Sequence, residues 1–257
     1  MNNKNIEICY KDEIAILKVS RPSKQNSLNN ETLVELYDTI KLLIDNKNIH
    51  GVILSGSGEK SFIAGADIEE FLEFNVSKGY EMSCGGHRLL KLIEDAPKPF
   101  IAAINGYALG GGCEIAMACH LRIATPNAIF GQPEVKLGII PGFAGTQRLL
   151  QYLGKSKALE LMLTGDFISA EDALKLHLIN YIVDSNNLIK FSIDLIKRIS
   201  RNSPIAIEKI IKCVNAYFDP NIDGFEFEQK EFADCFSSND FVEGVNAFIN
   251  KKNPNFR

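Results

Sequence analysis

The chain has 257 residues, enough for one large domain, or one domain with an appendage, that buries a core without disulfide bonds or metals. A hydrophobic fraction of 46% and a charged fraction of 23% are ordinary for a globular protein. The formal net charge of −4 at pH 7 argues against nucleic acid or an anionic membrane as a partner, because such partners favour a basic domain.

The cysteines, the histidines and the N-terminal residues predict a cytoplasmic protein without a metal site. No pair of the six cysteines shows CxxC spacing, and several lie in apolar runs typical of buried, reduced thiols. The histidines lack metal-ligand spacing and are interpreted as structural; they are His50, His87, His120 and His177. Residues 1–13 contain no apolar segment of a secretory signal, and no run reaches the ~18 apolar residues of a membrane span.

The first 185 or so residues alternate strands with helices, which favours an α/β fold. The pattern predicts a hairpin at residues 6–10 and 14–19, a helix at 31–45 capped by Asn30, a strand at 51–55, a helix at 80–95 and a strand at 100–104. Further along, it predicts helices at 147–153, 158–163 and 173–178, the last begun by a capping box at Ser169, and then a strand at 179–183.

From residue 188 onwards the pattern becomes helical. The predicted helices are residues 188–200, 204–217 with Ser203 as cap, 225–236 and 241–250. This part is rich in phenylalanine, which fits either a helical lid on the core or an oligomer interface, since aromatic residues are enriched at interface cores. We therefore divide the chain into an α/β core, residues 1–187, and a C-terminal helical region, residues 188–257.

The stretch from Gly106 to Gly145 has the strongest functional pattern. Three consecutive glycines, residues 110–112, lead into an apolar helical run that carries Glu114, and Glu134 follows twenty positions later in a glycine-bounded loop. A glycine-rich entry to a helix binds anions, including a carbonyl oxygen that gains charge during a reaction, and two carboxyl groups beside it can serve as acid and base. An ordinary strand-to-helix turn with a solvated Glu114 explains this stretch equally well.

A second loop of small residues, Ala64-Gly65-Ala66, ends at Asp67, which is expected to cap a following helix. Two loops of this kind can supply the two backbone N–H donors of an oxyanion hole, although an ordinary turn is the simpler interpretation of this loop by itself. Pro133 stiffens the loop that carries Glu134, which suits a positioned carboxylate, although a glutamate at a loop tip is usually just solvated. The chain contains no GxSxG, Walker A, HExxH or GxGxxG motif.

Four motifs in order resemble the enoyl-CoA hydratase/isomerase (crotonase) family, and the resemblance covers essentially the whole chain. They are AGADI at 64–68, NGYALGGGCE at 105–114, FGQPEVKLGIIPGFAGTQRL at 130–149 and FADCFSSNDFVEGVNAFINKK at 232–252. Within the family, the chain is most similar to short-chain enoyl-CoA hydratases of the 3-hydroxybutyryl-CoA dehydratase type. The resemblance implies a spiral of ββα units with a C-terminal helical region that builds a homotrimer, and trimers that pair into hexamers.

The resemblance also implies the roles of individual residues. The oxyanion-hole donors correspond to the backbone N–H groups of Ala66 and Gly111, and the catalytic glutamates correspond to Glu114 and Glu134, with Glu134 expected to supply the α-proton. Coenzyme A belongs to the substrate, so no separate cofactor is expected. The residues expected to bind the substrate and its CoA are Lys24, Gln25, Asn26, Leu28, Ala64, Gly65, Asp67, Ile68, Gly110 and Gly142, and Lys251 or Lys252 is expected to reach the CoA of a neighbouring subunit.

The activity implied by the resemblance is the reversible syn hydration of short trans-2-enoyl-CoA, such as crotonyl-CoA, to 3-hydroxyacyl-CoA, a lyase reaction of fatty acid and butyrate metabolism. Both glutamates are present, which favours hydration over isomerisation. The alternatives are an enoyl-CoA isomerase or another acyl-CoA lyase of this fold, and an RNA-binding module, which the acidic balance disfavours. The chain departs from the family at Phe143-Ala144-Gly145, where relatives have PGxGGTQRL, at His120, where they tend to have Asp, and at Ser23-Lys24-Gln25.

Overall fold

A computed structural model describes residues 4–256. Its strands in this range are β1 (Ile6–Lys11), β2 (Ile14–Val19), β3 (Gly51–Gly56), β4 (Ser61–Ile63), β5 (Phe100–Ile104), β6 (Tyr107–Leu109), β7 (Leu121–Ala124), β8 (Ile129–Gly131), β9 (Phe167–Ser169) and β10 (Tyr181–Ile182). Its α-helices are α1 (Asn30–Asp45), α2 (Val76–Glu94), α3 (Gly111–Ala118), α4 (Gly145–Thr164), α5 (Ala170–Lys175), α6 (Leu188–Ile199), α7 (Pro204–Ala216), α8 (Gly224–Cys235) and α9 (Asn239–Ile249).

The strands form two sheets. The larger sheet has the order β1-β2-β3-β5-β7-β10, in which only the β1–β2 hairpin is antiparallel. The smaller sheet has the order β4-β6-β8-β9, in which β8 and β9 are antiparallel. Three successive units, β3-β4-α2, β5-β6-α3 and β7-β8-α4, each give one strand to each sheet and then a helix, so the expected spiral of ββα units is present.

The core lies on both faces of the larger sheet. On one face, side chains of α1 and α2 such as Leu36 and Leu90 pack with Phe62 and Phe100. On the other face, Ile196 and other residues of α6 pack on β3, β5 and β7. The inner strands are apolar on both sides because both of their faces are covered, as is usual for parallel sheets.

Most of the predicted long elements are confirmed, and their ends differ for local reasons. The cap of α1 is Asn29 rather than Asn30, because the Asn29 side chain accepts a hydrogen bond from the N–H of Thr32 at 2.9 Å. Helix α2 begins at Val76, four residues earlier than predicted, with Asn75 as its cap. The two helices predicted at 147–153 and 158–163 are the halves of α4, which bends at Gly154, where φ is +71°.

Helix caps confirm two predictions and correct one. Ser169 and Ser203 accept hydrogen bonds from backbone N–H groups of the first turns of α5 and α7. Asp67 precedes a 3-10 helix, Ile68–Glu73, but its carboxylate is ion-paired with Arg21 at 2.8 Å and does not cap that helix.

The strands that the pattern did not predict are all short. Strands β4, β6, β8 and β9 have three residues each and β7 has four, so alternation of polar and apolar residues is not legible in them. They form because the longer strands of the larger sheet bring them together, which is a tertiary effect.

The C-terminal helices α7, α8 and α9 leave many apolar side chains exposed. Phe225, Phe232, Phe236 and Phe248 are more than half exposed, at 80%, 66%, 52% and 86%. The division of the chain at residue 188 remains a prediction. None of the helices within residues 4–256 is long and apolar enough to cross a lipid bilayer.

Candidate active site

A cavity of about 1070 Å³ opens between α2, the loop at residues 64–68, the N-terminus of α3 and the segment at residues 133–147. Of the residues predicted for the site, Ala66, Gly111, Glu114 and Glu134 all line this cavity. Residues from three separate segments of the sequence, at positions 66, 111–114 and 134, therefore share one space, as the predicted site requires.

Two backbone N–H groups in this cavity are available as donors. Gly111 is the first residue of α3, so its N–H has no acceptor within the helix and lies at the positive end of the helix dipole. The second donor belongs to Ala66, in the loop at residues 64–68. The N–H of Leu28 donates to the carbonyl oxygen of Gly65, and the N–H of Asp67 donates to the carbonyl oxygen of Leu28, so the backbone is fixed on both sides of Ala66. This pairing holds the Ala66 peptide rigidly beside the cavity.

Gly110 allows the two loops and Glu134 to approach one another. Its φ of +49° is unfavourable for a residue with a Cβ. A Cβ placed on Gly110 would lie 2.5 Å from Oε1 of Glu134 and 3.8 Å from Cα of Gly65. The glycine therefore brings the carboxylate of Glu134 against the N-terminus of α3.

Glu114 is almost fully buried, with 1% of its surface exposed. Its Oε1 accepts hydrogen bonds from the N–H groups of Phe143, at 2.8 Å, and Gly145, at 2.6 Å. Both donors bind the same oxygen, so these contacts do not use Oε2. Burial, followed by the nearby charge of Glu134, raises the pKa of Glu114 to about 7, against the lowering effect of those N–H groups.

Glu134 lies in the 3-10 helix Pro133–Leu137 and is partly buried. Burial raises its pKa to about 7. The side-chain amide of Gln132, turned with its nitrogen towards Glu134, donates to Oε2 at 3.2 Å and to Oε1 at 3.3 Å. Gln132 is itself buried and does not line the cavity, so it fixes the direction of the Glu134 carboxylate from the protein interior.

This arrangement suits acid–base chemistry at neutral pH. Two carboxyl groups whose pKa values lie near 7 are each partly protonated at neutral pH, so one can act as acid while the other acts as base. The N–H groups of Ala66 and Gly111 provide partial positive charge for an oxygen that becomes negative in the reaction. Within residues 4–256 no cluster of three or more His, Cys, Asp or Glu side chains has the spacing to hold a metal ion.

The residues predicted to contact CoA fall into two groups. Ala64, Gly65, Ile68, Gly110 and Gly142 line the cavity. The residues that do not line it are Lys24, Gln25, Asn26, Leu28, Asp67, Lys251 and Lys252.

The side chains of Lys24, Asn26 and Leu28 in the second group are held by contacts within the protein. Asn26 is 1% exposed, and its amide donates to the backbone oxygens of Ser57 and Ser61. The side chain of Leu28 is fully buried, and Lys24 is ion-paired with Glu69 at 2.7 Å on the surface. A CoA contact by this group therefore remains a prediction.

Sequence patterns missed a buried network behind Glu114. The Arg148 guanidinium donates to the Phe143 carbonyl at 3.1 Å and makes two hydrogen bonds to the Glu94 carboxylate, at 3.1 and 3.0 Å. Nδ1 of His120 accepts from the N–H of Phe100 at 2.9 Å, and Nε2 of His120 lies 3.2 Å from the Glu94 carbonyl oxygen. Burial lowers the pKa of His120 to about 4, so its ring is neutral.

Two further residues had no clear signal in the sequence. Gln132 stands within the FGQPE motif, whose neighbouring proline and glutamate attract attention instead. His87, interpreted as structural, lines the cavity from α2.

Comparisons of the sequence and of the fold with known proteins both give matches to enoyl-CoA hydratases. The family model described as enoyl-CoA hydratase/isomerase matches residues 10–257. The chain is 40% identical over 253 residues to a short-chain-enoyl-CoA hydratase of Clostridium acetobutylicum, covering 98% of this chain and 97% of that protein. It is 39% identical over 257 residues to a crotonyl-CoA hydratase of Syntrophomonas wolfei, covering 100% and 99%. The crystal structure of an enoyl-CoA hydratase from Bacillus anthracis matches with a TM-score of 0.92 and 34% identity over 98% of this chain and 99% of that one.

Proposed function

The chain belongs to the enoyl-CoA hydratase/isomerase family, as its motifs indicated, and we propose that it catalyses the reversible syn hydration of short trans-2-enoyl-CoA thioesters such as crotonyl-CoA. The names of the two relatives support this substrate class. The observation that carries the proposal is the pair of carboxyl groups, Glu114 and Glu134, that share one cavity with the N–H groups of Ala66 and Gly111.

In the proposed reaction, the thioester oxygen accepts hydrogen bonds from the N–H groups of Ala66 and Gly111. Addition at C3 pushes electrons onto this oxygen, so the intermediate has enolate character. Donors that are already in place stabilise this charge more in the transition state than in the bound substrate.

Glu114 and Glu134 hold the attacking water between them. Glu114, as the carboxylate, takes one proton from the water while the water oxygen forms a bond to C3. Glu134, as the carboxylic acid, gives its proton to C2, which completes the 3-hydroxyacyl-CoA. The reverse sequence eliminates water. Because one group gains a proton and the other loses one, a proton exchange between them restores the starting state.

The proposal also covers the oligomeric state of the protein and its location in the cell. We propose a homotrimer, or a pair of trimers, built through the exposed phenylalanines of α8 and α9, and a cytoplasmic location that cell fractionation tests. The reaction needs no cofactor beyond the CoA carried by the substrate.

The direct test is to mix the purified protein with crotonyl-CoA and follow the ultraviolet absorbance of the conjugated thioester. The expected result is a loss of absorbance to an equilibrium value, with 3-hydroxybutyryl-CoA as the product. A parallel reaction with a 3-enoyl-CoA measures isomerase activity. Unchanged crotonyl-CoA with the protein in excess, or isomerisation much faster than hydration, would contradict the proposal.

A further inference from the structure

The segment at residues 140–143 passes beside the cavity without support from other backbone groups. It follows the 3-10 helix that carries Glu134 and precedes α4, and it makes no backbone–backbone hydrogen bond to any part of the chain within residues 4–256. Gly142 adds no steric restraint, since a Cβ placed on it would meet no atom within 4 Å. Side chains therefore hold the polar groups of this segment in place.

Ser83 of α2 supplies one of these contacts. Its Oγ donates to the carbonyl oxygen of Gly142 at 2.6 Å, across 59 positions of the sequence. A serine inside a helix more often faces solvent or bonds a carbonyl one turn back in its own helix. On the same helix, the ring of Phe143 fills the space where a Cβ on Gly86 would lie. Helix α2 thus contacts both residues of the Gly142–Phe143 pair.

The carbonyl that Ser83 binds and the N–H that binds Glu114 belong to one peptide group. The carbonyl is that of Gly142, and the N–H is that of Phe143, which donates to Oε1 of Glu114 at 2.8 Å. In a trans peptide these two groups point in opposite directions, so Ser83 holds the peptide from one side and Glu114 holds it from the other. The direction of this N–H therefore depends on the hydroxyl of Ser83.

The hydroxyl also makes this N–H a stronger donor. A hydrogen bond accepted by the carbonyl polarises the peptide, and linked hydrogen bonds strengthen one another by roughly 10–30% each. Burial raises the pKa of Glu114, and the N–H groups of Gly145 and Phe143 oppose this rise. A stronger donor at Phe143 thus favours the carboxylate, which is the form of Glu114 that takes a proton from water in the proposed reaction.

We propose that Ser83 is a positioning residue of the hydration reaction, whose hydroxyl orients and polarises the peptide that holds Glu114. This inference rests on the proposed function. Ser83 lines the cavity, but its hydroxyl proton is bound to Gly142, so it acts through Glu114 and not on the substrate. The N–H of Gly145 still binds Glu114 when the hydroxyl is removed, so the effect is smaller than that of losing the glutamate itself.

Three substitutions separate the hydroxyl of Ser83 from the shape of its side chain. Ser83→Ala removes the hydroxyl, Ser83→Thr keeps it, and Ser83→Val has the shape of threonine without it. Ser83→Ala and Ser83→Val should lower kcat for crotonyl-CoA at pH 7 by about fivefold with an unchanged KM, and should move the acidic limb of the pH profile to higher pH. Ser83→Thr should keep the wild-type limb. Ser77→Ala removes an exposed hydroxyl from the start of the same helix and should change neither kcat nor the limb.

The protonation of Glu114 in the free protein gives a second measurement that needs no turnover. The infrared band of a protonated carboxyl group that disappears in Glu114→Gln identifies this residue, and the loss of that band as the pH rises gives its titration. Ser83→Ala and Ser83→Val should move the titration to higher pH, and Ser83→Thr should leave it in place.

The proposal is overturned if a folded Ser83→Ala or Ser83→Val keeps the wild-type titration and acidic limb, or if the threonine and valine variants behave alike. A raised KM with an unchanged kcat also overturns it, because that result indicates contact with the substrate. A shifted titration in a protein that hydrates no enoyl-CoA supports the coupling of Ser83 to Glu114 and contradicts the proposed function. Hydration of crotonyl-CoA with an unshifted titration in every variant has the opposite meaning.

Discussion

The N–H of Gly145 donates to Oε1 of Glu114 at 2.6 Å, and a Cβ on Gly145 would lie 2.7 Å from that same oxygen. Only glycine at this position lets the peptide approach the carboxylate so closely. The direction of Glu114 is therefore set by the first residue of α4, 31 positions away, rather than by its own helix. The proposed acid–base pair depends on contacts of this kind.

Replacing either glutamate by its amide should remove most of the hydration activity. Glu114→Gln and Glu134→Gln keep the size of the side chain but cannot carry a proton, and loss of one acid or base typically lowers the rate by on the order of 10²–10⁴. The measurement is kcat with crotonyl-CoA. Glu171→Gln, an exposed glutamate at the start of α5, is the matched control and should retain full activity. A carboxamide variant with near wild-type kcat would exclude that glutamate from the proposed mechanism.

The buried Glu114 should make the protein less stable as the pH rises. Its pKa is raised from 4.5 to about 7 in the folded protein, so the folded state binds more protons than the unfolded state between these values. The contribution of this group to stability is thus greatest below pH 4.5 and decreases as the pH rises through 7, by on the order of 3 kcal/mol in total.

Thermal unfolding of Glu114→Gln tests this sign. The Tm of the variant minus the Tm of the wild type should be higher at pH 8 than at pH 5, because the buried amide stays uncharged at both pH values. Glu171→Gln should show the same difference at both pH values. An equal change in Tm on Glu114→Gln at pH 5 and pH 8 would mean that ionisation of Glu114 does not destabilise the folded protein.

Arg148 should act on the reaction through Phe143 and Glu114, without touching the substrate. Its positive charge lowers the pKa of Glu114, and its guanidinium holds the Phe143 carbonyl. We expect Arg148→Gln to lower kcat by about tenfold and to move the acidic limb of the pH profile to higher pH. Arg148→Lys should restore part of this shift, and Arg88→Gln, an exposed arginine on α2, should leave the profile unchanged. A fall in kcat with no movement of the limb would indicate a structural effect alone.

Ala144 has a backbone conformation that glycine prefers. Its φ is +69°, in the left-handed region, where a Cβ costs about 1 kcal/mol. Ala144→Gly should therefore raise the urea midpoint slightly, by less than the full strain because glycine also has more freedom when unfolded. Ala158→Gly, in the regular second half of α4, should lower it. A lower midpoint for Ala144→Gly would show that the loop accommodates alanine without strain.

The exposed phenylalanines of the C-terminal helices should be covered in a larger assembly. Light scattering should give three or six times the chain mass of 28.5 kDa. Phe225→Asp and Phe248→Asp should reduce that mass, because each places a charge at a side chain that is 80% or 86% exposed in the single chain and that the proposed oligomer would bury. Leu42→Asp, at an exposed position of α1, is the control. A monomer in the wild-type protein would contradict the proposed trimer.

The elements that were predicted wrongly from the sequence show which parts of the fold a local residue pattern can specify. The β1–β2 hairpin, β3, β5 and the long helices were predicted because their own residues determine them. Asn29 and Asn30 are equally good caps by residue type, so only the geometry of the first turn distinguishes them. Strands of three residues have no periodicity of their own and form only when a neighbouring strand is already in place.

The sequence by itself determined the alternation of strands and helices, the helical C-terminal region and the residue types at the site, and its motifs identified the family, which in turn implied the ββα spiral. Glycines at a helix start and a pair of glutamates indicate the same chemistry in any fold. Only the tertiary structure decided which peptide groups hold Glu114, that Gln132 orients Glu134, and that the ring of Phe143 occupies the space where a Cβ on Gly86 would lie. The physical reason is that hydrogen-bond direction, desolvation and van der Waals overlap are set by groups tens of residues apart, and the raised pKa values of both glutamates exist only once those groups have excluded water.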